Sequence, residues 1–406
     1  MKVNRDQADI RFSRRSILRV LNGLSIGLGS PLRLTIAIGM ILFGYQSPVN
    51  AQLTILHSFG DGSVTNDGAN PSDGLVQAPN GDFFGGTIFQ ASTPSRGAGT
   101  VFKVTAAGNV KIIYRFGLTS NMWPSGPLLY YKGKLLGIVS GSAVFALASS
   151  SHGWHFSLWH TFTGAPSDGA GPVGSLTLGP DGKLSGVTAG GGTNNVGTAY
   201  KIDPGTHQSS IVYNFTTNAG YWMPGAALAL ANDGNFYGST QQSVLGQMGS
   251  IFRLTPQGQF TAIWSMFPPT QGRLIQASDG NLYGTIPIFE SHEGFLLRVG
   301  TSCCGSLFHS FGLFDGINPI GALVQGPNGH LYGTATVGGS GGKGTLFESS
   351  TDGSYFKVVH NFGDGTVPND GASPNGSLIL GTDGNLYGTT YNGGSAGLGT
   401  IFRFTP

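Results

Sequence analysis

Three features of this 406-residue sequence predict an all-β protein built from repeated four-stranded units. Glycine is abundant, with 69 residues, but it follows no collagen-like period, and 39% of the chain is hydrophobic. Short apolar runs alternate with glycine-rich turns, and sustained helical periodicity is almost absent beyond the N-terminus. A phrase of the type Asp-Gly-Asn-Leu-Tyr-Gly-Thr also recurs, for example at 278–285 and 382–390. Because a catalytic motif normally occurs once, the repetition indicates architecture.

The first 51 residues differ from the rest and predict an export signal. A basic segment precedes an uncharged apolar run at 34–44, which is too short to span a bilayer comfortably, and small residues follow. We expect cleavage after Ala51. Arg14 and Arg15 resemble a twin-arginine pair, but Arg33 interrupts the path to the apolar run. A general secretory signal is therefore the equal alternative, and an uncleaved anchor is the next.

The charge of the remaining segment, residues 52–406, argues against a nucleic-acid partner. It has 14 basic and 17 acidic residues, a formal charge of −3, because the signal holds seven of the 21 basic residues. No second long apolar stretch follows the signal. We therefore expect an exported monomer, extracellular or periplasmic, with no membrane anchor in the mature chain.

Turn glycines divide residues 52–406 into seven units of about fifty residues, with spacings from 46 to 55. These glycines are Gly81, Gly133, Gly182, Gly234, Gly280, Gly329 and Gly384. A fixed period of this size is typical of a solenoid or a propeller. Most of them follow Asn or Asp, and Asn-Gly or Asp-Gly between apolar runs predicts a hairpin, because both residues tolerate positive φ.

Each unit contains four strand candidates, which is the content of one propeller blade. In the last repeats the first is "SLIL" from Ser377, the second is the repeated phrase, the third is "GTIFRF" from Gly399, and the fourth is "YFKVVHNF" from Tyr355. The segment 52–406 opens with a fourth strand and finishes with a third. Pairing these two would complete the last blade and cover two sheet edges. We predict a seven-bladed β-propeller of four-stranded blades, closed by the N-terminal strand in the C-terminal blade.

Two recurring side chains have structural interpretations. The tyrosines Tyr283, Tyr332 and Tyr387 are expected to pack between adjacent blades, while the glycine that follows each allows close approach. A histidine recurs in the fourth strand at His57, His160, His309 and His360. Equivalent positions around a ring lie far apart, so we interpret these histidines as hydrogen-bonding scaffold residues rather than a metal cluster.

The units closely resemble the GloVer-type tandem repeat of exported bacterial proteins, and the segments 362–390 and 383–404 carry the resemblance. It extends over residues 52–406. It is weaker in units two and five, where 134–145 and 281–297 lose the "GGxxGxGT" loop. The resemblance implies a secreted or surface-displayed β-propeller, often with a separate anchoring segment, and it brings no catalytic residues.

One end of the predicted ring is the better candidate for a binding surface. We call it the long-loop face: it is formed by the loops that join fourth to first strands and second to third strands, which are long and variable. Four aspartates precede first strands there: Asp67, Asp168, Asp315 and Asp370. They could ring the channel mouth and hold a cation such as Ca²⁺. We favour the usual use of Asp-Gly, in which each aspartate closes its own turn, and we expect no cofactor and no metal site.

Aromatic insertions on this face depart from the repeat at Trp123, Tyr221 and Trp222. Exposed flat rings suit stacking on sugars or gripping a peptide, so these three are the candidate ligand-binding residues; plugging the channel and filling gaps left by the degraded blades are equal alternatives. The segment 290–294 brings two glutamates and a histidine together, which we interpret as a solvated loop rather than a glycosidase pair. The sequence contains no HExxH zinc-protease pair and no GxxxxGK[ST] phosphate loop.

The only two cysteines, Cys303 and Cys304, are adjacent. They cannot join distant parts of the chain. We expect buried thiols, with a vicinal disulfide as the alternative in an oxidising compartment.

Two functions are consistent with these observations. We favour a non-enzymatic exported binding or scaffold protein that uses the long-loop face against carbohydrate or protein. The alternative is a propeller-type hydrolase or lyase acting on an extracellular polymer, since propeller active sites are assembled from scattered loop residues. Product release that is lost on changing Glu290 or Glu293 would favour the enzyme.

Overall fold

A computed structural model describes residues 52–91, 98–117, 122–216, 222–242, 249–267, 270–288 and 293–406. Within these residues, 30 strands form seven antiparallel sheets. Each sheet is one blade of a ring, which confirms the predicted all-β, seven-bladed propeller. The predicted export signal lies outside the described residues.

The first four blades follow in chain order. Blade 1 contains β2 Ala69–Pro71, β3 Val76–Gln77, β4 Phe83–Phe89, β5 Thr100–Val104 and β6 Val110–Arg115. Blade 2 contains β7 Leu129–Tyr131, β8 Lys134–Val139, β9 Ala143–Ser150 and β10 Gly153–Thr161. Blade 3 contains β11 Gly169–Leu178, β12 Leu184–Gly191, β13 Thr198–Ile202 and β14 Ser209–Asn214. Blade 4 contains β15 Trp222–Pro224, β16 Ala229–Leu230, β17 Phe236–Gln242, β18 Gly249–Leu254 and β19 Phe260–Phe267.

The last three blades complete the ring. Blade 5 contains β20 Ile275–Gln276, β21 Leu282–Ile288, β22 Glu293–Val299 and β23 Gly305–Ser310. Blade 6 contains β24 Val324–Gln325, β25 Leu331–Ala335, β26 Thr345–Ser349 and β27 Phe356–Asn361. Blade 7 contains β28 Ile379–Leu380, β29 Leu386–Thr390, β30 Thr400–Thr405 and the first strand of the described chain, β1 Gln52–Ser58.

The first and last described strands pair with each other. β1 runs antiparallel to β30, from Gln52 opposite Thr405 to Ser58 opposite Thr400, with one register shift between Ile55 and His57. Blade 7 therefore takes three strands from the C-terminal end and one from residues about 350 positions earlier in sequence.

Except in blade 3, the first strands are shorter than the four residues predicted for them. In five blades only two residues join the ladder, as at Ile379 and Leu380, where the predicted strand began at Ser377. The residues just before them follow the wall of the central channel, where neighbouring blades touch. Their path around the channel leaves the ladder short.

The hairpin turns match the predicted positions but not their predicted conformation. All seven turn glycines have positive φ, between 74° and 88°. In six turns the Asn or Asp that precedes the glycine does not have a positive φ. In blade 5, for example, the Asp279 side chain accepts a hydrogen bond from the Asn281 amide at 3.0 Å. Blade 2 alone has two consecutive positive-φ residues in its turn, Lys132 and Gly133, as a two-residue hairpin requires.

The repeated tyrosines pack between blades, as predicted. Tyr283 of blade 5 is fully buried against Leu323, Leu331 and Phe347 of blade 6. Tyr332 and Tyr387 occupy the same position at the next two blade boundaries. The core is therefore a series of apolar clusters, most of them at a boundary between neighbouring blades.

The glycine of the phrase is required by side chains of its own blade. A Cβ on Gly333 would lie 2.5 Å from Cζ of Phe347 and 2.7 Å from Cδ2 of Leu323. Gly388 is enclosed in the same way by Phe402 and Leu378. The close approach predicted for this glycine is thus made by a first-strand leucine and a third-strand phenylalanine, rather than by backbone.

Among the described residues, no helix is long and apolar enough to cross a membrane.

Candidate functional site

The short turns at one end of the ring are tied together by a repeated polar contact. Tyr237 donates its hydroxyl to Oδ2 of Asp233 at 2.7 Å and lies 3.1 Å from the carbonyl oxygen of Thr301 in the next blade. Burial and these contacts with Asp233 raise the pKa of Tyr237 well above its ordinary value. The end of the ring opposite the long-loop face is therefore a scaffold whose polar groups are used in structure.

On the long-loop face, the recurring histidines face the aspartates that precede the first strands. His57 Nε2 lies 2.7 Å from Oδ2 of Asp67, and both side chains are buried. Asp67 also accepts the Gly60 amide, at 3.0 and 3.1 Å. This carboxylate thus closes its own loop, as predicted, and additionally binds a histidine, which the sequence analysis did not foresee.

The other three His–Asp pairs repeat the arrangement with decreasing closeness. The separations are 2.8 Å for His360 and Asp370, 3.1 Å for His160 and Asp168, and 3.6 Å for His309 and Asp315. The interpretation as hydrogen-bonding scaffold residues is confirmed for His57, His360 and His160. His309 Nε2 is buried without a hydrogen-bond partner among the described residues, and burial lowers its pKa.

One group of described side chains has donor spacing suited to a metal ion: His57, Asp61 and Asp67, whose donor atoms lie within 4.8 Å of one another. One nitrogen and two carboxylates do not resemble the six to eight oxygens that Ca²⁺ takes. Asp67 is held by His57 and Gly60, and Asp61 accepts the Ser63 amide at 2.8 Å. The hydrogen bonds already in place account for the cluster as a loop closure.

The wall of the central channel follows a repeated Pro-x-Gly-x-Leu register, in which small residues fill the two positions before the leucine. A Cβ on Gly126 would collide with the carbonyl oxygen of Gly174, and one on Gly174 would lie 2.5 Å from the amide of Ala227. Neighbouring backbones therefore touch around the axis. The leucines of this register are Leu75, Leu128, Leu176, Leu228, Leu274, Leu323 and Leu378.

Two charged residues break this register, and both line the channel. Asp73 stands where five of the seven units have glycine, and Arg273 stands where the other six have Gly, Pro, Ala or Ser. Both border a cavity of about 320 Å³ that is lined by residues of the first-strand segments, including Ser175 and Ser377. Blades 1 and 5, which supply the charges, are separated by three blades on one side and two on the other.

Asp73 is anchored to the neighbouring blade. Its Oδ2 accepts the Gly126 amide of blade 2 at 2.7 Å, and its carbonyl oxygen accepts the Thr389 hydroxyl of blade 7 at 3.0 Å. Burial raises the pKa of Asp73 to about 6, although hydrogen bonds from Gly126 and Ser72 oppose the shift. The carboxylate is held at the channel wall and changes charge in mildly acidic solution.

Arg273 is the second charged residue of the channel wall. In the described part of the chain its guanidinium has no hydrogen bond and no ion pair, and its side chain is accessible from the channel. Burial lowers the pKa of Arg273 by desolvation, but an arginine side chain stays charged. A cationic, fork-shaped donor group thus lines a concave space without a counter-ion.

The aromatic residues predicted to bind ligand are only partly described. Trp123 is half-buried, and its backbone exchanges hydrogen bonds with Ser140 at 3.3 and 3.0 Å, in the loop between β8 and β9. Tyr221 lies outside the described residues. Trp222 begins β15 opposite Gln242, and its side chain is not described. Trp123 directly precedes a proline, whereas Met223 separates Trp222 from its proline, so the two tryptophans occupy different repeat positions.

The two cysteines correct an expectation. Cys303 and Cys304 are free and exposed, in the turn between β22 and β23, rather than buried. Cys304 has a φ of 63°, and the Gly300 amide donates to its carbonyl oxygen at 3.2 Å. Both thiols are therefore on the surface of the short-turn end.

Most of the segment 290–294 lies outside the described residues. Glu290 and His292 lie outside the described residues, and Glu293 is described only as the first residue of β22. Asp73 and Arg273 were not among the residues predicted from the sequence. Aligning the seven units on the channel leucine, instead of on the hairpin glycine, reveals both as departures from the repeat.

Comparison with protein families identifies the repeat. The family model of the Gloeobacter/Verrucomicrobia repeat matches residues 140–302 and 269–406. The chain belongs to this repeat family. The two matches cover blades 3 to 6, the three C-terminal strands of blade 7 and part of blade 2, so the first unit of the repeat resemblance lies outside them. No curated protein sequence matches the chain.

The chain is similar to two solved structures, and the first of them shares the fold. A protein from Bacteroides uniformis named as a candidate 6-phosphogluconolactonase is similar with a TM-score of 0.50 and 12% identity, over 77% of this chain and 96% of that one. TolB from Acinetobacter baumannii gives a TM-score of 0.42 and 15% identity, over 70% and 61% of the two chains. At these identities the likeness concerns the propeller architecture alone.

Proposed function

We propose that this repeat protein is an exported, non-enzymatic binding or scaffold module that uses its long-loop face against carbohydrate or protein. The observation that carries the proposal is the unequal use of the two ends of the ring. Turns at the short end repeat one Asp–Tyr contact, as in Asp233–Tyr237 and Asp279–Tyr283. Loops at the other end vary in length and sequence, and the departures from the repeat at Trp123, Asp73 and Arg273 lie there or at the channel.

The repeated histidines and aspartates support a binding role over catalysis. Three of the four pairs are hydrogen-bonded within their own loops, and in the described part of the chain they lie on separate blades. These three pairs serve the scaffold, so we do not assign them a role in catalysis. The aromatic rings of the long-loop face then offer contact area for a sugar or peptide.

A glycan and peptide array probed with the purified protein tests the proposal. We expect retention of a ligand class that is weakened about tenfold or more in Trp123→Ala, as loss of an aromatic contact predicts. The matched control is Tyr355→Ala, which removes an exposed aromatic from the short-turn end. Equal effects of the two substitutions, or turnover of the retained ligand, would contradict the proposal. Export is checked by recovering the protein outside the cytoplasmic membrane with an N-terminus at Gln52.

A further inference from the structure

We propose that the central channel binds a small hydroxylated carboxylate of the sugar-acid class, with Arg273 holding the carboxylate and Asp73 accepting hydroxyl groups. The inference rests on the proposed binding role, but it uses the channel rather than the aromatic residues of the long-loop face. The cavity of about 320 Å³ falls at the lower end of the range for small-molecule sites.

The unpaired guanidinium of Arg273 is the group that would bind the carboxylate of the ligand. Arg273 replaces a small residue of the channel register, and its exposed side chain borders the cavity. It has no counter-ion in the described residues. A guanidinium in such a place binds a planar carboxylate through two parallel hydrogen bonds, which is the geometry that a fork of N–H donors favours.

The rest of the channel wall also carries polar side chains. Asp73 presents a carboxyl group that is fixed by Gly126, and Ser175 and Ser377 stand in blades 3 and 7 at the position that Arg273 holds in blade 5. The Ser377 Oγ accepts the Ala322 amide at 3.0 Å, which leaves its own proton to donate. Carboxylate and hydroxyl groups around one cavity match a ligand with several hydroxyls.

Asp73 and Arg273 together would select among ligand classes. A multiply charged anion would meet Asp73 as well as Arg273, and a neutral sugar would leave the guanidinium without a partner. A ligand with one carboxylate and several hydroxyls satisfies both groups at once. Free sugar acids and the acidic end of a polysaccharide share this chemistry.

Isothermal titration of the purified full-length protein at pH 7.5 and low salt tests the site. The probes are sodium D-glucuronate, D-glucose, sodium acetate and a short oligoglucuronide. We expect glucuronate to bind about tenfold or more tightly than glucose or acetate, the loss that one missing charge-assisted contact predicts. Binding of the oligomer but not the monomer would place a chain end in the channel; the reverse would indicate a free sugar acid, and both support the site.

Variants separate the site from general charge effects. Arg273→Ser is expected to fold, because Ser175 and Ser377 occupy the same repeat position, and to weaken glucuronate binding about tenfold while leaving glucose unchanged. Arg115→Ser, outside the channel lining, removes the same charge and should have no effect. Binding of neither glucuronate nor the oligoglucuronide, equal binding of glucose, or equal effects of the two variants would overturn the inference. The broader binding role would still stand if Trp123-dependent retention on the array persisted.

Discussion

The hydroxyl of Tyr283 lies 2.6 Å from Oδ2 of Asp279, four residues earlier, and 3.1 Å from the carbonyl oxygen of Thr351 in the next blade. Burial and then the hydrogen bond to Asp279 raise the pKa of Tyr283 to about 12. Burial also acts to raise the pKa of Asp279, but hydrogen bonds from Tyr283 and Asn281 outweigh it and lower that pKa. One side chain thus fixes its own hairpin and joins two blades.

Tyr283→Phe should lower the free energy of unfolding by about 1 to 2 kcal/mol, because Asp279 loses its hydroxyl donor and the Thr351 carbonyl loses a polar neighbour. Urea unfolding followed by tryptophan fluorescence measures the change. Tyr391→Phe is the control, since only backbone atoms of Tyr391 are used in the contacts described. A loss no larger than that of the control would show that the hydroxyl contributes nothing to joining the blades.

Gly333→Ala should destabilise the protein by about 1 to 3 kcal/mol, because the new methyl group overlaps Phe347 and Leu323. Gly312→Ala provides the comparison: no atom lies within 4 Å of a Cβ there, and its φ is not positive. Thermal unfolding of the two variants side by side measures the difference. If Gly312→Ala were the more damaging change, the packing explanation of the repeated glycine would be wrong.

Asp67→Ala should cost about 3 kcal/mol or more, because it leaves His57 and the Gly60 amide without their buried acceptor. Asp315→Ala should cost clearly less, since its histidine lies 3.6 Å away and its own side chain is half-buried. Denaturant midpoints of both variants rank the two pairs. The same ranking is expected at low and high salt, because the larger loss comes from a buried hydrogen bond rather than from screened charges.

Asp73→Asn should remove a pH dependence of stability. The pKa of Asp73 is raised from 3.8 to about 6, so the folded state binds more protons than the unfolded state between these values. Stability of the unsubstituted protein therefore falls as pH rises through this window, by about 1 to 2 kcal/mol given partial hydration from the channel. Asparagine keeps an acceptor for the Gly126 amide and has no charge to desolvate.

Urea unfolding at pH 4, 5, 6 and 7.5 provides the measurement for Asp73. The difference in unfolding free energy, Asp73→Asn minus unsubstituted protein, should grow from pH 4 to pH 6 and stay constant above it. Taking the difference cancels the other titrating groups. A difference that is flat, or that shrinks with rising pH, would mean that Asp73 is not desolvated at the channel wall.

Repetition made much of the fold predictable. Turn glycines such as Gly280 and Gly384 marked each hairpin, and the apolar runs beside them gave four strands per unit. The His–Asp pairs were not predictable in the same way. Their separations in sequence are ten residues for His57 and Asp67, eight for His160 and Asp168, and fewer still in blade 5. No fixed spacing signals the contact, because it depends on the path of each loop.

The channel residues were only partly predictable, less so than the hairpins and more so than the His–Asp pairs. Asp73 and Arg273 are visible as departures once the units are aligned on the channel leucine, yet the sequence places them 200 positions apart. Whether two side chains so distant border one cavity depends on the number of blades and on the side from which each first strand meets the axis. Neither is a property of local sequence.

What the residues specify on their own is therefore local: the period, the positive-φ turns, the alternation of apolar strands and the positions where a side chain cannot fit. Steric and hydrogen-bonding rules acting over a few neighbours produce these features. The ring added relations between distant segments, including Tyr283 with Thr351, β1 with β30, and Arg273 with Asp73 across one cavity. Such contacts follow from packing of whole blades, because burial of apolar surface brings segments together regardless of their separation along the chain.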